Sequence, residues 1–109
     1  MAWWIIEKAK KLKLGYGLDK TSDLGPITNA SHLGKIHQIL DTVTKEGGKF
    51  LLDGRKPKVE NYSEGLWIGP TVLSNLNTEM TCYKEEIFGP VMCVLLADNI
   101  DQALEIINK

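Results

Sequence analysis

The sequence predicts an α/β domain with short strands, mainly of the parallel type, and three helices. Several segments repeat apolar residues at spacings of three and four, which places them on one helix face. The run from Pro90 to Ala97 is apolar throughout and leads directly into the last of these segments. An uninterrupted apolar run suits a strand covered on both faces, and a strand followed by a helix is half of a parallel crossover unit.

The helical pattern covers residues 3–13, 29–47 and 98–109. Thr28 or Asn29 can supply the N-cap oxygen of the second helix, and Gly47-Gly48 is a typical helix end. Asp98 or Asn99 can cap the third helix in the same way. The predicted apolar faces consist of Ile5, Ile6, Ala9 and Leu12 in the first helix, of Leu33, Ile36, Ile39, Leu40 and Val43 in the second, and of Ile100, Ala103, Leu104 and Ile107 in the third.

Three apolar runs are candidate strands. Residues 49–54 are a short apolar run closed by an Asp-Gly pair, which favours a strand. Residues 66–73 are predicted to be an extended strand. Pro70 indicates that this strand lies at the edge of a sheet or contains a kink. Residues 90–97 give the clearest strand.

Length and composition describe an ordinary globular protein. The 109 residues suggest one domain or part of a larger one, with 43% hydrophobic and 25% charged residues. A formal net charge of -1 gives no reason to expect nucleic acid as a partner. No segment approaches the roughly 20 apolar residues of a membrane span.

The N-terminal residues 1–17 are a poor targeting sequence. They are too polar after Ile6 for a signal peptide, and they hold Lys rather than Arg and no Ser, which disfavours a transit peptide. A helix packed on the domain is the plain interpretation, and a helix lying on a membrane surface is the alternative. We predict an intracellular protein.

The cysteines and histidines do not form a recognisable reactive site. Cys82 and Cys93 are too few for a disulfide framework, so we predict two reduced thiols. Cys82 could be a nucleophile activated by Lys84, but no base is evident, and a small half-buried residue is the simpler interpretation. His32 and His37 are five apart, a spacing that does not place them side by side on a helix, so no metal site is predicted.

The stretch Lys84 to Pro90, "KEEIFGP", is the strongest candidate site. It can be a charged turn before a strand, which is common. It can also bind a nucleotide, because a carboxylate accepts two hydrogen bonds from a vicinal diol and an aromatic ring offers a flat face. Ligands of open α/β sheets bind at the ends of parallel strands, where this stretch is expected to lie.

"KEEIFGPV", Lys84 to Val91, closely resembles the Glu-x-Phe-Gly-Pro motif of the NAD(P)-dependent aldehyde dehydrogenase superfamily. "DLGPI", "KEGGKFLLDG" and "GLWIGPTVL" precede it in the family's order. "LLDGRKPKV" and "MTCYKEEIFGPV" are most similar to the CoA-acylating methylmalonate-semialdehyde dehydrogenases. The resemblance spans almost the whole chain.

The resemblance implies roles for two residues of the motif. Glu86 would hold the hydroxyls of the nicotinamide ribose, and Phe88 would pack near the nicotinamide, so both are predicted to bind NAD. It implies no catalytic residue here, because the catalytic cysteine and the general-base glutamate of the family lie upstream of these motifs. Residues 1–109 would then be a single partial domain, a slice of the C-terminal catalytic domain, inactive as an isolated chain.

The resemblance also implies the reaction and the location of the parent enzyme, the complete protein of which this chain would be a part. It would oxidise a small semialdehyde with NAD and transfer the acyl group to CoA, in valine catabolism in the mitochondrion, as a homo-oligomer. The partner of this chain would be the rest of that enzyme. Two alternatives remain open: a fragment of another aldehyde dehydrogenase subfamily, and a short non-catalytic product that binds a protein partner.

Overall fold

The computed structural model describes residues 2–59, 62 and 64–108. In this part the chain forms helix α1 (Ala2–Lys10), helix α2 (Ala30–Lys45), strands β1 (Lys49–Leu52) and β2 (Thr71–Ser74), the single-turn helix α3 (Thr81–Lys84), strand β3 (Val91–Cys93) and helix α4 (Ile100–Asn108). None of the helices described is long and apolar enough to cross a lipid bilayer. Lys109, predicted in the third helix, lies outside the described residues.

The three strands form one mixed sheet in the order β1-β2-β3. β1 runs antiparallel to β2, and β2 runs parallel to β3, with Thr71 opposite Val91 and Leu73 opposite Cys93. The predicted α/β class is confirmed, although one of the two strand pairs is antiparallel. The parallel pair matters most for the site, because it places the turn before β3 beside the start of β2.

Helix α2 covers the sheet and supplies half of the main core cluster. Asn29 caps it by accepting a hydrogen bond from the backbone N–H of His32 at 2.8 Å, as predicted. The helix buries an apolar stripe against the centre of the sheet. The main core cluster consists of Ile36, Ile39, Leu40, Val43, Ile68, Leu73, Met80 and Cys82.

Helix α3 is a fourth helix that the sequence did not predict. It is one turn long, so it has no room to show an apolar period. The Glu46 carboxylate at the end of α2 stabilises it, accepting hydrogen bonds from the Thr81 backbone N–H at 2.9 Å and from the Thr81 hydroxyl at 2.6 Å. These bonds fix α3 to α2.

Strand β3 is shorter and less covered than predicted. It contains three residues rather than the eight of the apolar run, and Met92 and Leu96 are 49% and 92% exposed. Helix α1 also ends early, at Lys10, and Leu12 is 43% exposed. An apolar run predicts burial only where another element packs against it, and here one face of β3 has no such neighbour among the described residues.

Candidate functional site

Residues 85–90 form a turn between α3 and β3, and both of its ends are fixed. At the start, the Glu85 N–H continues the last turn of α3 by bonding to Thr81 O at 2.9 Å. At the end, Pro90 O accepts a hydrogen bond of 2.9 Å from Thr71 N on β2. The turn is therefore held by elements that belong to the core.

Within this turn the backbone folds back on itself twice. The Gly89 N–H bonds to Ile87 O at 2.9 Å, and the Val91 N–H bonds to Gly89 O at 2.8 Å, two successive three-residue turns. A Cβ atom on Gly89 would lie 2.9 Å from Cδ1 of Ile36 on α2. The glycine lets the turn approach the helix closely.

His32 joins the first turn of α2 to Phe88. Its Nε2 lies 2.6 Å from the Phe88 carbonyl oxygen, and because a carbonyl can only accept, this nitrogen carries the hydrogen. The two rings also meet edge to face, with centroids 6.0 Å apart. His32 is half-buried. Its contact with Phe88 could not be read from the sequence, since the two residues are 56 positions apart.

The two residues predicted to bind the cofactor point away from the core. Glu86 is exposed, and Phe88 is 73% exposed. Both line an open groove of about 490 Å³, together with His32, Lys35 and the α2 face. Among the described residues none forms a hydrogen bond or ion pair with the Glu86 carboxylate, so both of its oxygens can accept hydrogen bonds from a ligand.

Both cysteines are free, and their environment makes them poor nucleophiles. Burial raises the pKa of the Cys82 thiol, and burial together with the nearby Cys82 raises the pKa of Cys93 to about 11. The reactive form of cysteine is the thiolate, which is scarce at neutral pH under these conditions. Cys82 is buried rather than half-buried as predicted, since only 5% of it is exposed.

A second polar groove is structural. The Arg55 guanidinium bonds to Asp53 at 2.6 Å and to Asp41 at 2.9 Å, and it lies 4.3 Å from the ring centre of Phe50. The hydrogen bonds from Arg55 lower the pKa of the Asp53 carboxyl. These groups satisfy one another and join α2 to the end of β1. The part of the chain that the structure describes holds no group of three potential metal ligands.

Comparison with known proteins identifies the family. The model of the aldehyde dehydrogenase family matches residues 4–109. Methylmalonate-semialdehyde/malonate-semialdehyde dehydrogenase [acylating], mitochondrial, of Bos taurus is 46% identical over 104 residues, 95% of this chain and 19% of that protein. The Homo sapiens protein of the same name is 45% identical over 105 residues, 96% of this chain and 20% of that protein. The chain thus spans about a fifth of the length of these relatives.

Solved structures share the fold. The methylmalonate-semialdehyde dehydrogenase of Oceanimonas doudoroffii superposes with a TM-score of 0.91 and 33% identity, over 96% of this chain and 22% of that one. The betaine aldehyde dehydrogenase of Staphylococcus aureus in complex with NAD+ superposes with a TM-score of 0.90 and 31% identity, over 98% of this chain and 21% of that one. The chain belongs to the aldehyde dehydrogenase family.

Proposed function

We propose that this chain is part of an NAD-dependent, CoA-acylating dehydrogenase of methylmalonate or malonate semialdehyde. Similarity to relatives of that name along almost the whole chain supports the proposal. Because the chain spans about a fifth of those relatives, we infer that residues 1–109 are one slice of the catalytic domain. The rest of the parent enzyme would supply the nucleophilic cysteine and the general base.

Within that enzyme we propose that Glu86 and Phe88 form the nicotinamide-ribose side of the cofactor pocket. The observation that carries this is an exposed carboxylate beside an exposed aromatic ring, on a turn whose backbone is fixed to α2 and β2. The two Glu86 oxygens fit a pair of vicinal hydroxyls. The Phe88 face fits a planar ring.

NAD, when bound, supplies the acceptor for the hydride that leaves the aldehyde carbon. The contribution of this chain is positioning. Glu86 fixes the ribose, and Phe88 limits where a ring beside it can lie. The contact of His32 with Phe88 and the close approach of Gly89 to Ile36 hold both groups before a ligand arrives. Such preorganisation favours a near-attack geometry.

Replacement of Glu86 tests this role in the full-length enzyme. Glu86→Gln keeps the size of the side chain and removes the charge, and hydrogen bonds to charged groups contribute about 1.5–3 kcal/mol. We expect kcat/KM for NAD to fall by roughly 10- to 100-fold. Glu105→Gln, which makes the same change outside this groove, is the matched control and should leave the kinetics unchanged. Wild-type kinetics in Glu86→Gln would remove this residue from the cofactor site.

The 109-residue chain alone tests the absence of a nucleophile. We expect no NADH from this chain with NAD, CoA and a small semialdehyde, since both thiols are buried or half-buried and protonated. NADH production that disappears in Cys82→Ala would show that Cys82 is the nucleophile. The full-length enzyme, assayed in parallel, is the positive control. Its product distinguishes the subfamilies, because an acylating enzyme forms acyl-CoA rather than the free acid.

A second candidate function is association with a protein partner without catalysis. It is favoured by one observation, the exposed apolar side chains after β3 and on α4, with Leu96 at 92% and Ile107 at 77%. Sedimentation of the 109-residue chain, alone and mixed with the full-length enzyme, measures this association. Co-sedimentation that Leu96→Asp abolishes supports this function, and a monomer under both conditions excludes it.

A further inference from the structure

Cys82 and Cys93 lie against each other on either side of the turn that carries Glu86 and Phe88. The Cys93 thiol is 4.0 Å from the Cys82 backbone carbonyl oxygen, which accepts its weak hydrogen bond, and both side chains line the same cavity. They are the two cysteines of the sequence. Neither has a part in the function proposed above.

The positions of both cysteines are fixed by the core. Cys82 sits on α3, which the Glu46 carboxylate holds through Thr81. Cys93 ends β3 in register with Leu73 of β2. Since α3 and β3 are each tied to the core, the Cys93 thiol is held beside the backbone of Cys82. Disulfide formation needs this proximity, because cysteines that point apart cannot be joined without backbone movement.

A cavity gives a small oxidant access to both side chains. It measures about 770 Å³ and is lined by Cys82, Cys93, Tyr83 and residues of α4. Cys93 is half-buried at this cavity, whereas Cys82 is 5% exposed. Cys93 is therefore the thiol that an incoming peroxide reaches first.

We propose that Cys82 and Cys93 are a redox-sensitive pair that hydrogen peroxide converts into an intramolecular disulfide across the base of this turn. Peroxide oxidises the Cys93 sulfur to a sulfenic acid, and one water leaves. The Cys82 sulfur then attacks the Cys93 sulfur, the S–S bond forms, and the sulfenic oxygen leaves with two hydrogens as a second water. In sum, two thiols and one peroxide give one disulfide and two waters.

The disulfide would close a ring that contains the whole site turn, since the bridged positions are 11 apart. Burial slows the reaction, because it raises the pKa of both thiols and the attacking species is the thiolate. The same burial limits exchange with external thiols once the bond has formed. We therefore expect slow, specific oxidation rather than a fast response.

Peptide mapping of the full 109-residue chain tests the pair directly. Lys84 lies between the two cysteines, so trypsin places Cys82 and Cys93 on separate peptides, residues 59–84 and 85–109. The chain is treated with peroxide, free thiols are blocked with N-ethylmaleimide in acid, and the digest is analysed by mass spectrometry without reductant. We expect one linked peptide pair, two hydrogens lighter than the sum, which separates on reduction.

Two single variants test the order of the steps. With Cys82→Ser the sulfenic acid on Cys93 has no partner, so dimedone should label it several-fold more than in the wild type. With Cys93→Ser the labelling of Cys82 should be lower, because Cys82 is more buried. Unlinked cysteines after peroxide treatment, or links found solely between chains, would overturn the proposal. None of these readouts depends on NAD binding.

Discussion

Helices α2 and α4 are both amphipathic and both capped by an asparagine, but they differ in how much of their apolar face is buried. Each begins after an asparagine cap, with Asn29 accepting from the N–H of His32 at 2.8 Å and Asn99 accepting from the N–H of Gln102 at 2.9 Å. Each carries an apolar stripe. α2 buries four side chains of its stripe, whereas α4 buries none, and Ile107 is 77% exposed.

The difference shows that an amphipathic sequence determines which side of a helix is apolar, and that neighbouring elements decide whether this side is buried. α2 lies on the sheet. α4 has fewer contacts with the other elements, and one that holds it is the hydrogen bond that the Tyr83 hydroxyl donates to Ile106 O. The proposal that this chain is one slice of a larger enzyme accounts for the open face of α4, because further segments would cover it.

Matched core truncations should give the largest effect. Leu40 on α2 is fully buried, and Leu104 on α4 is 50% exposed. We expect Leu40→Ala to lower the free energy of unfolding by about 2–5 kcal/mol, because it leaves a cavity. Leu104→Ala should cost less than about 1 kcal/mol. Urea denaturation of both variants measures this, and equal losses would show that α4 is packed as tightly as α2.

Removal of the two asparagine caps should have different effects, one on the stability of the whole fold and the other on the stability of α4 alone. Asn29→Ala is expected to lower the free energy of unfolding by about 1 kcal/mol, since α2 belongs to the core. Asn99→Ala should leave the global value unchanged and speed amide hydrogen exchange in α4 alone, because that helix can open by itself. An equal fall in global stability for both variants would contradict the comparison.

A glycine inside α2 offers a stabilising change. Gly34 has no atom within 4 Å of the position that a Cβ would take. Gly34→Ala should raise the free energy of unfolding by about 0.5–1 kcal/mol, because alanine favours helix more than glycine does. Gly17→Ala, at an equally open position outside the helices, is the control. A lower midpoint of thermal unfolding for Gly34→Ala would disprove the expectation.

The link between α2 and α3 should respond weakly to acid. Hydrogen bonds from Thr81 lower the pKa of the Glu46 carboxyl from its ordinary 4.5. A lowered folded-state pKa gives stability that is present above the unfolded-state value and is lost as pH falls through the folded-state value. Glu46→Gln should therefore be less stable than the wild type at neutral pH and equal to it in acid. The midpoints of urea denaturation at neutral and at acid pH measure this difference. Glu105→Gln is the control, and we expect it to change neither midpoint.

Local signals in the sequence predicted much of the fold. The spacing of Ile36, Leu40 and Val43 defined the core face of α2, Asn29 defined its start, and the Asp-Gly pair marked the end of β1. These features depend on residues a few positions apart, which the sequence displays directly. The sequence did not show α3, because one turn has no period to detect.

The candidate site, too, has some features that the sequence shows and others that only the tertiary structure shows. The sequence by itself determined the turn's chemistry: Glu86 and Phe88 carry the carboxylate and the ring, and Gly89 permits close approach to α2. The tertiary structure alone decided what holds that turn, namely the contact of His32 with Phe88 and the bond of Thr71 with Pro90. It also placed the two cysteines together and left α4 open. The physical reason is that these contacts join distant positions, and their partners are set by how the elements pack.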